Sequence, residues 1–119
     1  MTFKTSQCYG RCPVFELTIN KDRTATYHAI MYNDKAGEFK GIIPAQEFDE
    51  LMELLRYLEP DKLNDRYDVS WTDDQTATTE IQYNGLSKTI SDYGKIGTFG
   101  LAILYNKFFA WRTSVDWAK

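Results

Sequence analysis

The chain has 119 residues, a formal charge of −3 and a pI near 5.1. Hydrophobic residues make up 43% and charged residues 26%, which excludes wholesale disorder. An acidic chain offers no basic patch, so no nucleic-acid partner is expected.

The length fits one domain over residues 1–119, and a domain of this size buries roughly 65% of the surface its unfolded chain exposes. With 7 Phe, 8 Tyr and 3 Trp, much of that core must be built from rings. No stretch reaches the roughly 18 apolar residues of a membrane helix, so no membrane span is expected. The best run, Leu101 to Tyr105, is stopped by Asn106 and Lys107. The opening residues Met1 to Gln7 lack the apolar run of a signal peptide. Two locations are therefore expected. The chain is periplasmic or extracellular, in a cell envelope, if a native signal has been removed; otherwise it is cytoplasmic.

Thr2 to Ser6 reads as a short extended lead, and Cys8 to Pro13 as a compact turn. From Val14 the period is two, with Phe15, Leu17 and Ile19 on one face and Glu16, Thr18 and Asn20 on the other. Asn20-Lys21-Asp22-Arg23 reads as a turn. Thr24 to Tyr32 alternates again, placing Ala25, Tyr27, Ala29 and Met31 together. A third short strand follows around Glu38 to Ile43.

Pro44 suits the first turn of a helix, where its missing N–H costs nothing. Phe48, Leu51, Met52, Leu55 and Leu58 then form one apolar stripe. Pro60 ends that helix near Leu58. Asp61 to Gln75 reads as a long irregular connection. Thr76 to Tyr83 and Leu86 to Tyr93 read as a hairpin on Asn84-Gly85, a pair that tolerates the positive φ of a type I′ turn. A last helix is expected from Thr98 to Thr113. Its main stripe is Leu101, Leu104, Tyr105, Phe108, Trp111 and Val115, with Phe99, Ile103 and Phe109 on a second. The second stripe predicts a further neighbour for this helix: the first helix or a partner chain. The order βββαββα implies an α+β fold, an antiparallel sheet of about five strands with two helices packed on one face. Expected core residues are Phe15, Leu17, Ile19, Tyr27, Phe48, Leu51, Leu55, Ile81, Leu101, Leu104 and Phe108.

The run Cys8-Tyr9-Gly10-Arg11-Cys12-Pro13-Val14-Phe15-Glu16-Leu17-Thr18-Ile19 resembles the opening of a bacterial family named domain of unknown function 6438. Gly41-Ile42-Ile43, Leu63 to Tyr67, Thr72-Asp73 and Ser87 to Gly94 are similar to it as well. The likeness extends to about Gly94. It departs at Asp22-Arg23, where the family tends to have Asp-Gly, and at Lys95 to Gly100, which replaces a Pro-containing helix start. The resemblance implies a small α+β domain, often found behind export or lipoprotein signals. It carries no activity with it.

Cys8 and Cys12 are four positions apart. An extended strand would hold their Cα atoms roughly 13 Å apart, beyond disulfide reach. A turn at Gly10 brings them near 6 Å. A structural disulfide, two packed thiols, or a redox or metal pair all fit that spacing. Cys-x₃-Cys-Pro also looks like the copper site of the Sco assembly proteins, and soft thiolates suit Cu(I). That family, however, uses a thioredoxin-like fold and a distant His, and His28 is the only imidazole here.

His28 lies mid-strand on the polar face and reads as a surface residue. Asp65, Asp68, Asp73 and Asp74 crowd one loop with Tyr67 and Trp71, and Asp92-Tyr93-Gly94 could lie nearby. Bracing of turns by these carboxylates outweighs a Ca²⁺ site or an acid–base pair built on Asp73 and Asp92. Tyr67, Asp73, Asp92 and Tyr93 are the candidate ligand or partner surface. Tyr9, Trp71, Trp111 and Trp117 could serve either the core or a surface.

No nucleophile elbow or glycine-rich phosphate loop is present, the Asp spacing does not match a Ca²⁺ loop, and the cysteine pair lacks a third ligand, so no enzyme activity, metal or cofactor is expected. The leading expectation is a non-catalytic cell-envelope binding or structural module, with an unknown protein partner or self-association. The alternative is a thiol-redox or copper-handling protein using Cys8 and Cys12.

Overall fold

A computed structural model describes residues 1–8, 10–68, 74–83 and 85–119. In chain order the strands are β1 (Thr2–Thr5), β2 (Val14–Ile19), β3 (Thr24–Met31) and β4 (Gly37–Ile42). Helix α1 (Ala45–Leu58) and a single 3₁₀ turn (Pro60–Lys62) follow. β5 (Arg66–Tyr67), β6 (Thr76–Tyr83), β7 (Leu86–Tyr93) and α2 (Phe99–Ser114) complete the chain.

The fold is α+β, but among the described residues the sheet is mixed and seven-stranded, in the order β4-β3-β2-β1-β6-β7-β5. This corrects the expected five antiparallel strands. The first addition is β1, which reads from sequence as a mere lead. Four residues are too few to display a period. Yet β1 pairs antiparallel with both β2 and β6, so it joins the β2–β4 meander to the β6–β7 hairpin at the centre of the sheet. Phe3 is fully buried there and touches the rings of Phe15, Tyr105 and Phe108. The second addition is β5, two residues that lie parallel to β7 inside the segment read as irregular.

The remaining elements follow their periods. Odd-numbered residues of β2, β3 and β6 point inward, as the alternation requires, and Val14 is taken in by a bulge before Phe15. Every expected core residue is buried except Phe48, which is half-buried and packs on the rim. The φ of +77° at Gly85 suits the two-residue β6–β7 turn; Asn84 lies outside the described residues.

Pro44 caps α1 from outside rather than occupying its first turn, and its carbonyl accepts from Phe48 N. Glu59, at φ 50°, ends the helix ahead of Pro60. Arg23 has φ 74°, in the left-handed region where glycine would be favoured. Its side chain is held by the Ile43 carbonyl, which accepts from Nη1 at 3.2 Å.

The two helices lie antiparallel. Gly100 of α2 abuts Tyr57 and Leu58 at the end of α1, whereas Lys107 and Trp111 reach Glu47 at its start. Trp111 Nε1 donates to Glu47 Oε2 at 3.1 Å. The whole main stripe of α2 is buried. Its second stripe divides. Phe109 packs between Phe3 and Phe15, but Phe99 and Ile103 face solvent instead of filling a gap beside α1. Beyond α2 the chain folds back: Trp117 packs on Tyr27, and Ala118 pairs with Lys40 along the β4 edge.

Candidate functional site

Polar side chains converge at the end of the sheet where β7 hands the chain to α2. Gly94 at φ 92° and Lys95 at φ 55° reverse the backbone after Tyr93. Asp92, fully buried, fastens this corner. Its Oδ1 accepts from Ile96 N at 2.8 Å. Its Oδ2 accepts from Gly97 N at 2.8 Å and from the Tyr105 hydroxyl at 2.9 Å. Burial first, and then Asp92, push the Tyr105 phenol far above the usual tyrosine range, so it stays a donor. Thr98 next caps α2 by accepting from Leu101 N.

Gln75 ties the same corner to the disulfide turn. Its Nε2 donates to the carbonyls of Ser6 at 3.0 Å and Pro13 at 2.7 Å, and its Oε1 accepts from Lys95 Nζ at 3.1 Å. Thr5 Oγ1 also donates to the Pro13 carbonyl, at 2.8 Å. The Lys95 ammonium lies 5.3 Å from the centre of the Phe109 ring, and the Arg112 guanidinium 5.2 Å from it. Arg112 donates to Asn33, whose amide donates in turn to the carbonyls of Val14 and Met31. Lys95, Tyr105, Asn106 and Phe109 line an open groove of about 370 Å³ on this side of α2.

Cys8 and Cys12 are joined in a disulfide, with Cα atoms 5.9 Å apart. Gly10 N donates to Cys8 Sγ within the turn. A small cavity of about 70 Å³ is lined in part by Cys8, Cys12 and Met31 of β3.

The predicted surface set separates. Asp92 is not a surface residue: its position in β7 puts it on the inward face, and internal donors occupy both oxygens. Tyr67 stands opposite Asp92 in the β5–β7 register, with its hydroxyl accepting from Asn64 N. Tyr93, one residue on from Asp92, takes the other face of the strand, and its hydroxyl accepts from Asp74 N. Asp73 lies outside the described residues, as do Tyr9 and Trp71. Trp111 and Trp117 are buried.

The loop carboxylates disperse. Asp65 pairs with Lys88 at 2.6 Å, Asp68 pairs with Arg66, and Asp74 accepts from Gln75 N. Among the described residues, no three His, Cys, Asp or Glu side chains come together as a metal-holding group. No described helix is long and apolar enough to cross a membrane. His28 is exposed on the open sheet face, in register with Glu16 and Glu38.

Gln75, Lys95 and Arg112 are the members of this corner that sequence reasoning missed. Each is a single polar residue at an element end or on a helix flank, where no periodicity marks it. The positive φ at Lys95 coincides with the departure from the family pattern that begins there.

No curated protein and no solved structure matches the chain. The match of one family model to residues 1–112, nearly the whole fold including the disulfide turn, β7 and most of α2, establishes that the chain belongs to the family described as Domain of unknown function (DUF6438).

Proposed function

We propose that the chain is a non-catalytic binding or structural module of the cell envelope that presents the outer side of α2 to a protein partner. The observation that carries this reading is the exposed apolar patch at the α1–α2 corner. Phe99 is 77% exposed, Tyr57 68%, Ile96 46% and Ile103 39%. Phe99 and Ile103 are one helical turn apart on the same face. The Tyr57 ring rests beside Gly100, so the patch crosses from one helix to the other. Large apolar side chains grouped in this way mark interaction sites more often than bare surface.

The compartment rests on the disulfide, since such bonds persist where the surroundings are oxidising. The non-catalytic part rests on how the polar groups are engaged. Asp92 and Tyr105 hold each other and the start of α2, and the two sulfurs hold each other.

Site-specific photocrosslinking in the native cell tests the reading. A benzophenone side chain is placed at Phe99 or Ile103, with Thr89 on the opposite sheet face as control. A discrete adduct from both helix positions and none from Thr89 is expected. An adduct of twice the chain mass identifies self-association. No adduct, or equal smears from all three positions, overturns the binding role. Thiol trapping in the same cells is expected to find Cys8 and Cys12 blocked, and free thiols there remove the envelope assignment.

A further inference from the structure

We propose that Cys8, Cys12 and Met31 form a Cu(I) site that opens when the disulfide is reduced. The inference is independent of the α2 binding face.

The cavity lined by the disulfide turn is small, about 70 Å³, and its wall brings Met31 of β3 together with Cys8 and Cys12. The meeting is fixed by the fold: Met31 pairs with Val14, two residues beyond Cys12, at the bulged end of the β2–β3 ladder. Asn33 secures that end by donating to both the Val14 and Met31 carbonyls. Gln75 secures the other side of the turn through Ser6 and Pro13. The two ends of the disulfide turn and Met31 are therefore tied by hydrogen bonds that do not involve the S–S bond.

Among the described residues, the other side chains on this wall are Gln7, Val14 and Tyr32, with no imidazole and no carboxylate. Two thiolates and one thioether form a soft donor set that favours Cu(I). Zinc, by contrast, takes four ligands in its closed sites. Arg11 stands in the turn between the cysteines, so a cation offsets the negative charge that two thiolates bring.

In the disulfide form the sulfurs are bonded to each other and no thiolate is on offer. Opening requires an external dithiol. Its thiolate attacks one cysteine sulfur and forms a mixed disulfide. Its second thiol then displaces that cysteine and leaves as the oxidised partner. Two electrons and two protons pass to Cys8 and Cys12. Binding of one Cu(I) releases those two protons, and the Met31 thioether completes a three-sulfur site.

The test uses the whole chain, reduced with dithiothreitol and desalted without oxygen. Cu(I) is offered from its coloured bicinchoninate complex. The reduced chain is expected to withdraw one equivalent, and the disulfide form none. Met31→Leu is expected to weaken binding by about 10-fold or more, whereas Met52→Leu, altered in a different groove, leaves it unchanged. Methyl-¹³C methionine NMR on the unaltered chain provides a readout that does not depend on how a variant folds: the Met31 methyl should shift on Cu(I) addition and the Met52 methyl should not. Failure of the reduced chain to withdraw copper, an unmoved Met31 methyl, or full affinity in a folded Met31→Leu chain each overturns the site.

Discussion

Asp92→Ala is the sharpest probe of how the β7–α2 corner is held. The substitution removes a buried carboxylate and strands three donors: the amides of Ile96 and Gly97 and the hydroxyl of Tyr105. A hydrogen bond to a charged group contributes about 1.5–3 kcal/mol net. Three that share one acceptor side chain do not add fully. A loss of about 3–5 kcal/mol is therefore expected, in line with removing one partner of a buried charged network. At this chain length each kcal/mol moves the melting temperature by roughly 4 °C, so a fall of about 12–20 °C should appear in a calorimetric scan. Asp92→Asn keeps one acceptor but turns an amide N–H₂ towards a donor, so it should lie between wild type and alanine. The location of the damage is equally specific. Amide exchange should rise first at Ile96 and Gly97 rather than in β2 or β3. A double-mutant cycle with Tyr105→Phe should give a coupling of about 1–2 kcal/mol. An Asp92→Ala chain within about 1 kcal/mol of wild type would refute the bracing role, because the stranded donors would then have found other partners.

Three further outcomes follow from the same geometry. The Thr79 hydroxyl is buried in β6 with no partner among the described residues, so Thr79→Val should raise stability by about 1 kcal/mol in urea titration; a loss of that size would mean the hydroxyl is bonded after all. A Cβ on Gly41 would sit 2.8 Å from the Asp116 carbonyl and 2.9 Å from the Trp117 ring. Gly41→Ala should therefore cost about 1–3 kcal/mol and detach the tail, seen as red-shifted tryptophan emission and lost protection at Lys40 and Ala118; an unchanged spectrum counts against it. Finally, burial and then Asp92 raise the Tyr105 phenol above its ordinary 10.0. The unfolded chain thus loses that proton first, and stability present in full below pH 10.0 declines as pH rises beyond it. Tyr105→Phe should show a shallower alkaline decline, and parallel curves for the two chains would exclude the linkage.

Most of the fold was legible because most of its elements are long enough to carry a period. β6 and β7 fall on the residues the alternation marks, and α1 ends where Pro60 requires. What stayed hidden are the pieces whose conformation is decided by their neighbours. β1 has one aromatic in four residues, and only the open edges of β2 and β6 make it a strand. β5 has two residues, and its pairing depends on β7 already being in place. Local pattern cannot register either, since the hydrogen bonds that define them connect segments tens of residues apart.

The candidate site divides along the same line. Cys8 and Cys12 were legible as a pair, and of the alternatives their spacing left open the structure shows the disulfide. Asp92 was legible as a brace of its turn, which the bonds from Ile96 N and Gly97 N bear out, but it was also placed in the candidate surface. As part of that surface its carboxylate would face solvent. In the fold, the inward phase of β7 turns the carboxylate beneath α2, where Tyr105 and two backbone amides take up its oxygens. The surface reading failed for a physical reason: alternation assigns a side chain to a face, but an acidic residue on the inward face becomes plausible only when its donors are known. Those donors come from positions 96, 97 and 105, which are brought to Asp92 by the left-handed reversal at Gly94 and Lys95. The same reversal sends the Lys95 side chain to Gln75, and Gln75 to the backbone flanking the disulfide turn. A change at Asp92 is thus linked, through one bend and two side chains, to the surroundings of Cys8 and Cys12. The corner is thus one connected set of hydrogen bonds, running from the buried carboxylate past Lys95 and Gln75 to the backbone on both sides of the disulfide turn.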